Sequence, residues 1–308
     1  MASTKAISPS SQRHVLSSDV ATSAPVETPP RLKPATATTI SQSCNHFRIG
    51  LKFLLEDGNY VLASQELQSA VDLGHMEAHS RLALMYLAGY PHMPKDCSAA
   101  FNLAKSGFSA HCPHCTGVLA VCYFGGFGVK QNQPLAVRYA HSSSNKNSYI
   151  GQYVLGSIYE RNGDLDTAKW IACYKKSALQ GFHSAQHRLG EIYQHGNGVE
   201  KNAQQALNFF GLAAQQGNRF SQCELAECYA GGLLVDRKNI SEAVRLYTLS
   251  AEQGDGYSCF KLAQLFHVGA TNFKRDLASA EHWYMKAQVA GYADDTDALI
   301  LLRRNKEK

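Results

Sequence analysis

The residues best equipped for chemistry stand together at His111-Cys112-Pro113-His114-Cys115. Two cysteines separated by two residues have the spacing of a dithiol redox pair, and the flanking imidazoles would add metal ligands. Each chemistry needs surroundings that the sequence does not supply. A redox pair of this type belongs beside a strand–helix–strand pattern, and none is found. A tetrahedral zinc site wants a second ligand pair, and only Cys122 is close in the chain. Pro113 is tolerated in the first turn of a helix, and in that register Cys115 falls on a small-residue packing position. Packing is therefore the expected role, with a thiol- or metal-dependent enzyme built on Cys112-Pro113-His114-Cys115 as the competing one. His183 and His187 form an i, i+4 pair with only Glu191 as a nearby acid. They lack the HExxH pattern, so a solvated helix face is expected. Gly125-Gly126-Phe127-Gly128 is not a phosphate-binding loop, and Asp294-Asp295 suits the start of a helix. No catalytic residue, metal site or cofactor is expected.

The elements that would carry these residues are written in a repeat. A leucine, a small residue and then an aromatic recur at Leu82-Ala83…Tyr86, Leu119-Ala120…Tyr123, Leu155-Gly156…Tyr159 and Leu189-Gly190…Tyr193. The series continues at Leu225-Ala226…Tyr229 and Leu262-Ala263…Phe266, with successive aromatics 37, 36, 34, 36 and 37 residues apart. Periods of this length indicate a stacked repeat architecture. Three residues after each aromatic comes Gly89, Gly126, Asn162, Gly196, Gly232 or Gly269, residue types suited to a helix C-terminal cap. Next comes Asp96, Asn132, Asp166, Asn202, Asn239 or Asp276, a helix N-cap set. A second helix runs on from there to Gly181, Gly217, Gly254 or Gly291. The unit is thus helix A, short loop, helix B, short turn. Helix A keeps small residues four and nine positions after the preceding glycine, as in Ala185 with Gly190, where neighbouring helices would approach closely. Cys122 and Cys228 share a column with Met85 and Ile192 and should behave as core hydrophobes.

The ends differ. Residues 1–45 hold no aromatic residue and five of the nine prolines, and they are rich in Ser, Thr and Ala. A disordered tail is expected there. Lys5, Arg13, Arg31 and Lys33 also allow a mitochondrial targeting segment, against which stand Asp19, Glu27 and the prolines. Ser8-Pro9 and Thr28-Pro29 have the form of proline-directed phosphorylation sites. Residues 46–74 read as a weaker first helix pair, and Tyr292 to Leu302 as a terminal capping helix. The net charge is +5 with only 18% charged residues, which is too dilute to argue for nucleic acid. No apolar run is long enough to insert in a membrane. Nine cysteines without paired recurrence fit free thiols in the cytoplasm.

The columns resemble those of the Sel-one-like repeat family, a relative of the tetratricopeptide repeats, over about residues 46–308. The unit that matches best is residues 185–217, with the loop Gly196-Asn197-Gly198-Val199; Gly126-Phe127-Gly128-Val129 matches too. The shortened loop at Asn162-Gly163 departs toward a plain tetratricopeptide unit. The resemblance implies an all-α solenoid of about seven antiparallel helix pairs with a C-terminal capping helix. It also implies a non-catalytic adaptor or scaffold that binds other proteins or peptide segments on its concave face, or else a regulatory subunit of a membrane-associated or mitochondrial complex. Once the buried columns are removed, Arg81, His187, Arg188, Glu191, Glu227, Lys261 and Gln264 remain to face that groove.

Overall fold

A computed structural model describes residues 36–163, 166–232, 234–235, 237–270 and 273–292. Fourteen α-helices account for nearly all of them, and among the described residues the only strand-like pairings are isolated bridges at Tyr90–Met93 and Ala270–Phe273. The first eight are α1 (Ala37–Leu55), α2 (Tyr60–Asp72), α3 (Met76–Ala88), α4 (Cys97–Ser109), α5 (Pro113–Gly125), α6 (Gln133–Asn145), α7 (Tyr149–Arg161) and α8 (Thr167–Leu179). The rest are α9 (His183–His195), α10 (Ala203–Gln215), α11 (Arg219–Gly231), α12 (Ile240–Glu252), α13 (Gly256–Val268) and α14 (Leu277–Val289). Each odd-numbered helix A packs on the helix B that follows it, which makes the expected seven pairs of an all-α solenoid.

The boundaries follow from cap chemistry. The side chain of each of Asp96, Asn132, Asp166, Asn202, Asn239 and Asp276 accepts a backbone N–H at the start of its B helix. In the six units that carry the repeat signature, the expected left-handed residue after helix A is a glycine in all but one. Asn162 stays right-handed, and the positive φ moves one position on to Gly163, since the loop there is shorter. The turn from B to the next A also needs one left-handed residue, a conformation that glycine enters without steric cost. Gly74, Gly181, Gly217 and Gly254 supply it in four turns, His111 (φ 65°) and Asn147 (φ 58°) supply it in the other two, and Gly291 has the same sign of φ after α14. The first histidine of the His-Cys-Pro-His-Cys run is therefore a turn residue.

Small side chains set how closely successive pairs approach. The third residue of helix A is Ala78, Cys115, Gly151, Ala185, Ser221 or Ser258, and all are buried. Facing them is a small-residue column on helix B that includes Gly107, Ser143, Ser177, Ala213 and Ser250, also buried. A methyl group added at Gly107 would collide with the Cys115 sulfur, and one at Gly151 with Ser143. The hydroxyls in the B column also bond: Ser143 donates to the Pro113 carbonyl and Ser177 to the Tyr149 carbonyl, each at 2.7 Å, and Ser250 to the Arg219 carbonyl at 2.9 Å.

Two sequence expectations meet the structure differently. Helix α1 begins at Ala37, with Thr36 as its N-cap, so helical order starts well before residue 46. Phe47 of this helix stacks on His75, and Tyr60 of α2 stacks on Tyr90, each at 4.2 Å, so the weak first pair is anchored by aromatics outside the repeat signature. The expected capping helix, with Asp294-Asp295, lies outside the described residues, as does most of the tail.

Candidate binding groove on the inner helices

The A helices α3, α5 and α7 pack on one another in sequence, whereas the B helices rest chiefly on A helices. The A wall is the shorter one over these units, and Arg219 at the start of α11 reaches the Gly89 carbonyl after α3, so the array curves with A inside. On that wall Arg188 stands one residue before the buried Leu189 and ties two units together. Its Nε donates to Glu160 of α7 at 3.2 Å, its Nη1 donates to Glu191 at 2.7 Å, and Nη2 also reaches Glu160. Tyr174 of α8 donates its hydroxyl to the same Glu160 at 2.8 Å. Burial works against the guanidinium charge, but the two carboxylates outweigh it and hold the Arg188 pKa above its ordinary value.

Two units further on the design returns with other residues. Lys261 precedes the buried Leu262, and its Nζ lies 3.1 Å from Glu227 of α11. Tyr247 and Tyr257 donate to the same Glu227 oxygen at 2.5 and 3.1 Å. Burial, and then the bond to Glu227, push the Tyr247 hydroxyl pKa up, so it stays a donor. Gln264, which is exposed, joins Glu227, Lys261, Tyr247, His267 and Tyr284 around a cavity of 650 Å³.

Arg81 and His187 line a different cavity of 540 Å³. Arg81 makes a long 3.4 Å contact with Glu77, lies over the Tyr149 ring and leaves its buried Nε without a hydrogen-bond partner. His187 Nδ1 bonds the Ser221 hydroxyl at 2.9 Å, and Asn218 Nδ2 donates to His183 Nδ1 at 3.0 Å. The expectation of a solvated histidine face is thus corrected: both rings are half-buried and link α9 to α11. Burial first, and then the Arg81 and His187 charges, push His183 down to about 4. That keeps the ring neutral and able to accept from Asn218.

The seven residues expected at the groove therefore fall into three groups. Arg188 bridges α9 to Glu160 of α7 and is held by Glu191 on its own helix, with His187 3.8 Å from Glu191; Glu227, Lys261 and Gln264 surround the second cavity; and Arg81 shares the first cavity with His187.

The thiols are positioned by the same helix starts. Cys112 is the N-cap of α5, and Cys115 sits in its first turn against Gly107; both are buried. A hydrogen bond from Cys115, opposed by burial and aided by the Cys115 and His114 amides, pulls the Cys112 thiol down to about 6, while Cys115 is pushed up. No group of three metal-binding side chains occurs among the described residues.

Five segments match the model of the Sel1 repeat, at residues 77–109, 118–148, 183–218, 220–255 and 256–287, together more than half of the chain. The chain belongs to the Sel1 repeat family. Such repeats generally mediate protein–protein interactions. The structure is similar to a Sel1 repeat protein from Oxalobacter formigenes (TM-score 0.57, 24% identity), covering 77% of this chain and 99% of that one. It is also similar to the Pseudomonas aeruginosa immunity protein PA5088 (TM-score 0.50, 19% identity), covering 72% and 84%. In sequence the chain is 26% identical over 172 residues to chitin synthase regulatory factor 2 of Schizosaccharomyces pombe, covering 52% of this chain and 34% of the factor. It is 37% identical over 94 residues to an uncharacterized protein of Neisseria meningitidis, covering 30% and 20%. The chain spans about a third or less of the length of these two relatives.

The Sel1 matches skip the α7–α8 pair, yet that pair folds like its neighbours and supplies Glu160 and Tyr174 to the inner wall. Tyr174 and Tyr247 were absent from the sequence-based groove set, although both stand eight residues after a B-helix N-cap, a column that could have been read. Arg219 had no such signal. Its Nη1 donates to the Gln253 carbonyl at 3.1 Å and reaches the Gly89 carbonyl at 3.4 Å, so it joins units 130 residues apart. Only the curvature of the Sel1 array brings them together.

Proposed function

We propose that the chain is a non-catalytic adaptor that holds partner proteins or peptide segments on the inner face of its A helices. The observation that carries this reading is the double clamp of that wall, Arg188 on Glu160 and Glu191, and Lys261 on Glu227. Each clamp immobilises half-buried charges beside an aromatic hydroxyl before any partner arrives, which lowers the ordering cost of binding. The relative in Schizosaccharomyces pombe, by its name a regulatory factor of chitin synthase, supports a regulatory form of the same role. Free thiols at all nine cysteines favour a reducing compartment, and we place the chain in the cytoplasm, with mitochondria as the alternative. No described helix is long and apolar enough to cross a membrane.

The test is proximity labelling with the full chain, followed by reconstitution with the purified candidate partner. Lys261→Glu and Arg188→Glu should weaken the reconstituted complex, whereas Arg245→Glu, outside the groove set on B helix α12, should not. A partner indifferent to both groove changes would refute this face as the binding face. The low Cys112 pKa keeps one competing reading in play, a thiol-dependent activity. A Cys112→Ser, Cys115→Ser double variant that keeps partner affinity argues for the adaptor.

A further inference from the structure

The 540 Å³ cavity has an unusual charge balance. Its lining includes the two guanidinium groups of Arg81 and Arg219 and no carboxylate. Arg219 meets two backbone carbonyls and the ring of Phe220, and no ion pair with it is found among the described residues. The acids close by lie outside the lining: Glu77 touches Arg81 at 3.4 Å, and Glu252 lines a neighbouring cavity of 840 Å³ that also includes Arg219. Burial works against positive charge on the histidines and pushes both His183 and His187 below their ordinary pKa.

The remaining walls are mixed: Ser184, Gln216, Asn218 and Gln253 are polar, and the apolar part includes accessible groups. Phe220 is 51% exposed and Leu55 45% exposed, and the stacked Tyr60–Tyr90 pair closes the side nearest Arg219. The volume falls within the range of about 300–1,000 Å³ typical of ligand pockets. Arg81, Tyr153 and His187 belong to A helices, so the cavity is continuous with the wall to which adaptor function is assigned above.

We propose that this cavity binds a peptide segment of a partner protein in which an acidic side chain lies next to an aromatic or aliphatic one. The carboxylate sits between Arg81 and Arg219, and the apolar neighbour packs on Phe220 and Leu55. Arginine suits the task, since its planar fork binds a carboxylate through two parallel hydrogen bonds. The inference rests on the adaptor reading and adds the chemistry of the partner.

The experiment titrates the full chain with an array of octapeptides blocked at both ends, carrying Phe or Leu beside Asp or Glu, each with its Asn or Gln counterpart. The expected result is a preference of about tenfold or more for the acidic member of the binding pairs. Arg81→Gln and Arg219→Gln should abolish that preference, Arg81→Lys and Arg219→Lys should retain part of it, and Phe220→Ser should weaken both members. Arg245→Gln should change nothing. A preference lost equally in the Lys and Gln variants while melting temperatures are unchanged overturns the pairing assigned here. Absence of binding across the array, equal affinity for acid and amide, or a preference that survives both Gln variants overturns the proposal. The adaptor reading survives any of these results if a reconstituted partner still responds to Lys261→Glu, so the two failures are distinguishable.

Discussion

At the scale of single residues, close packing and burial decide what each side chain can do. Gly190 lies against the ring of Phe210, and a methyl group added there would approach it to 2.5 Å. Gly190→Ala should therefore destabilise the chain by about 1–3 kcal/mol through overpacking. A second change, Phe210→Leu, should recover part of that loss, read as the shift in urea midpoint. His183 gives a pH signature. Folded, it titrates at about 4 instead of its ordinary 6.5. Between these values the unfolded chain binds the proton that the folded chain refuses. The stability contributed by its neutral form is full above about pH 6.5, declines as pH falls through that interval and stops declining below about 4. Urea unfolding between about pH 7 and about pH 4 should show this slope, and His183→Gln should flatten it. The sequence did name this residue, but as a solvated one, because an i, i+4 histidine pair carries no mark of the Asn218 and Ser221 that meet it from the next unit.

At the scale of elements, caps and small columns set most of the structure, and these were largely legible. The N-cap set and the glycine ends can be read from one column of residue types because each acts on its own few neighbours. Asn202 accepts from the Gln205 amide at 2.9 Å. Replacing it in Asn202→Ala should cost about 0.5–2 kcal/mol, measured by urea unfolding. The Asn162 exception was less legible, since the shortened loop shifts the left-handed residue to Gly163 without changing the residue types on either side. The start of α1 at Ala37 was hidden for another reason: its Ser- and Thr-rich first turns carry no apolar stripe, and its anchor, Phe47 on His75, lies in the contact with the turn after α2. A polar ladder was missed as well. Gln180, Gln216 and Gln253 at the ends of successive B helices donate to Gln152, Gln186 and Gln222 of the preceding A helices at 2.7, 2.8 and 2.8 Å. Its members are spaced by the repeat, but glutamine looks like a surface residue until its burial is known.

At the scale of the whole molecule, curvature makes the array more than a sum of neighbours. The Arg219 bond to Gly89 and the 540 Å³ cavity both join units that the repeat separates by over a hundred residues. Arg219→Ala should therefore raise amide hydrogen exchange in the loop around residues 89–95, as well as beside the substitution. A purely linear stack, in which each unit feels only its neighbours, would leave that loop unchanged. What the sequence by itself determined was the unit: its two helices, their caps, the small positions between them, the period and the number of copies. These depend on local bonding and on contacts one repeat apart, and residue type at a fixed spacing records both. What only the tertiary structure decided was which inner residues are already engaged and which are left to engage something else. Arg188 and Lys261 are held by carboxylates of the preceding A helix, whereas Arg219 makes no ion pair among the described residues, because the small twist added at each unit accumulates until distant helices share one cavity. A sum over many packing contacts fixes that twist, and no single column of the repeat contains it.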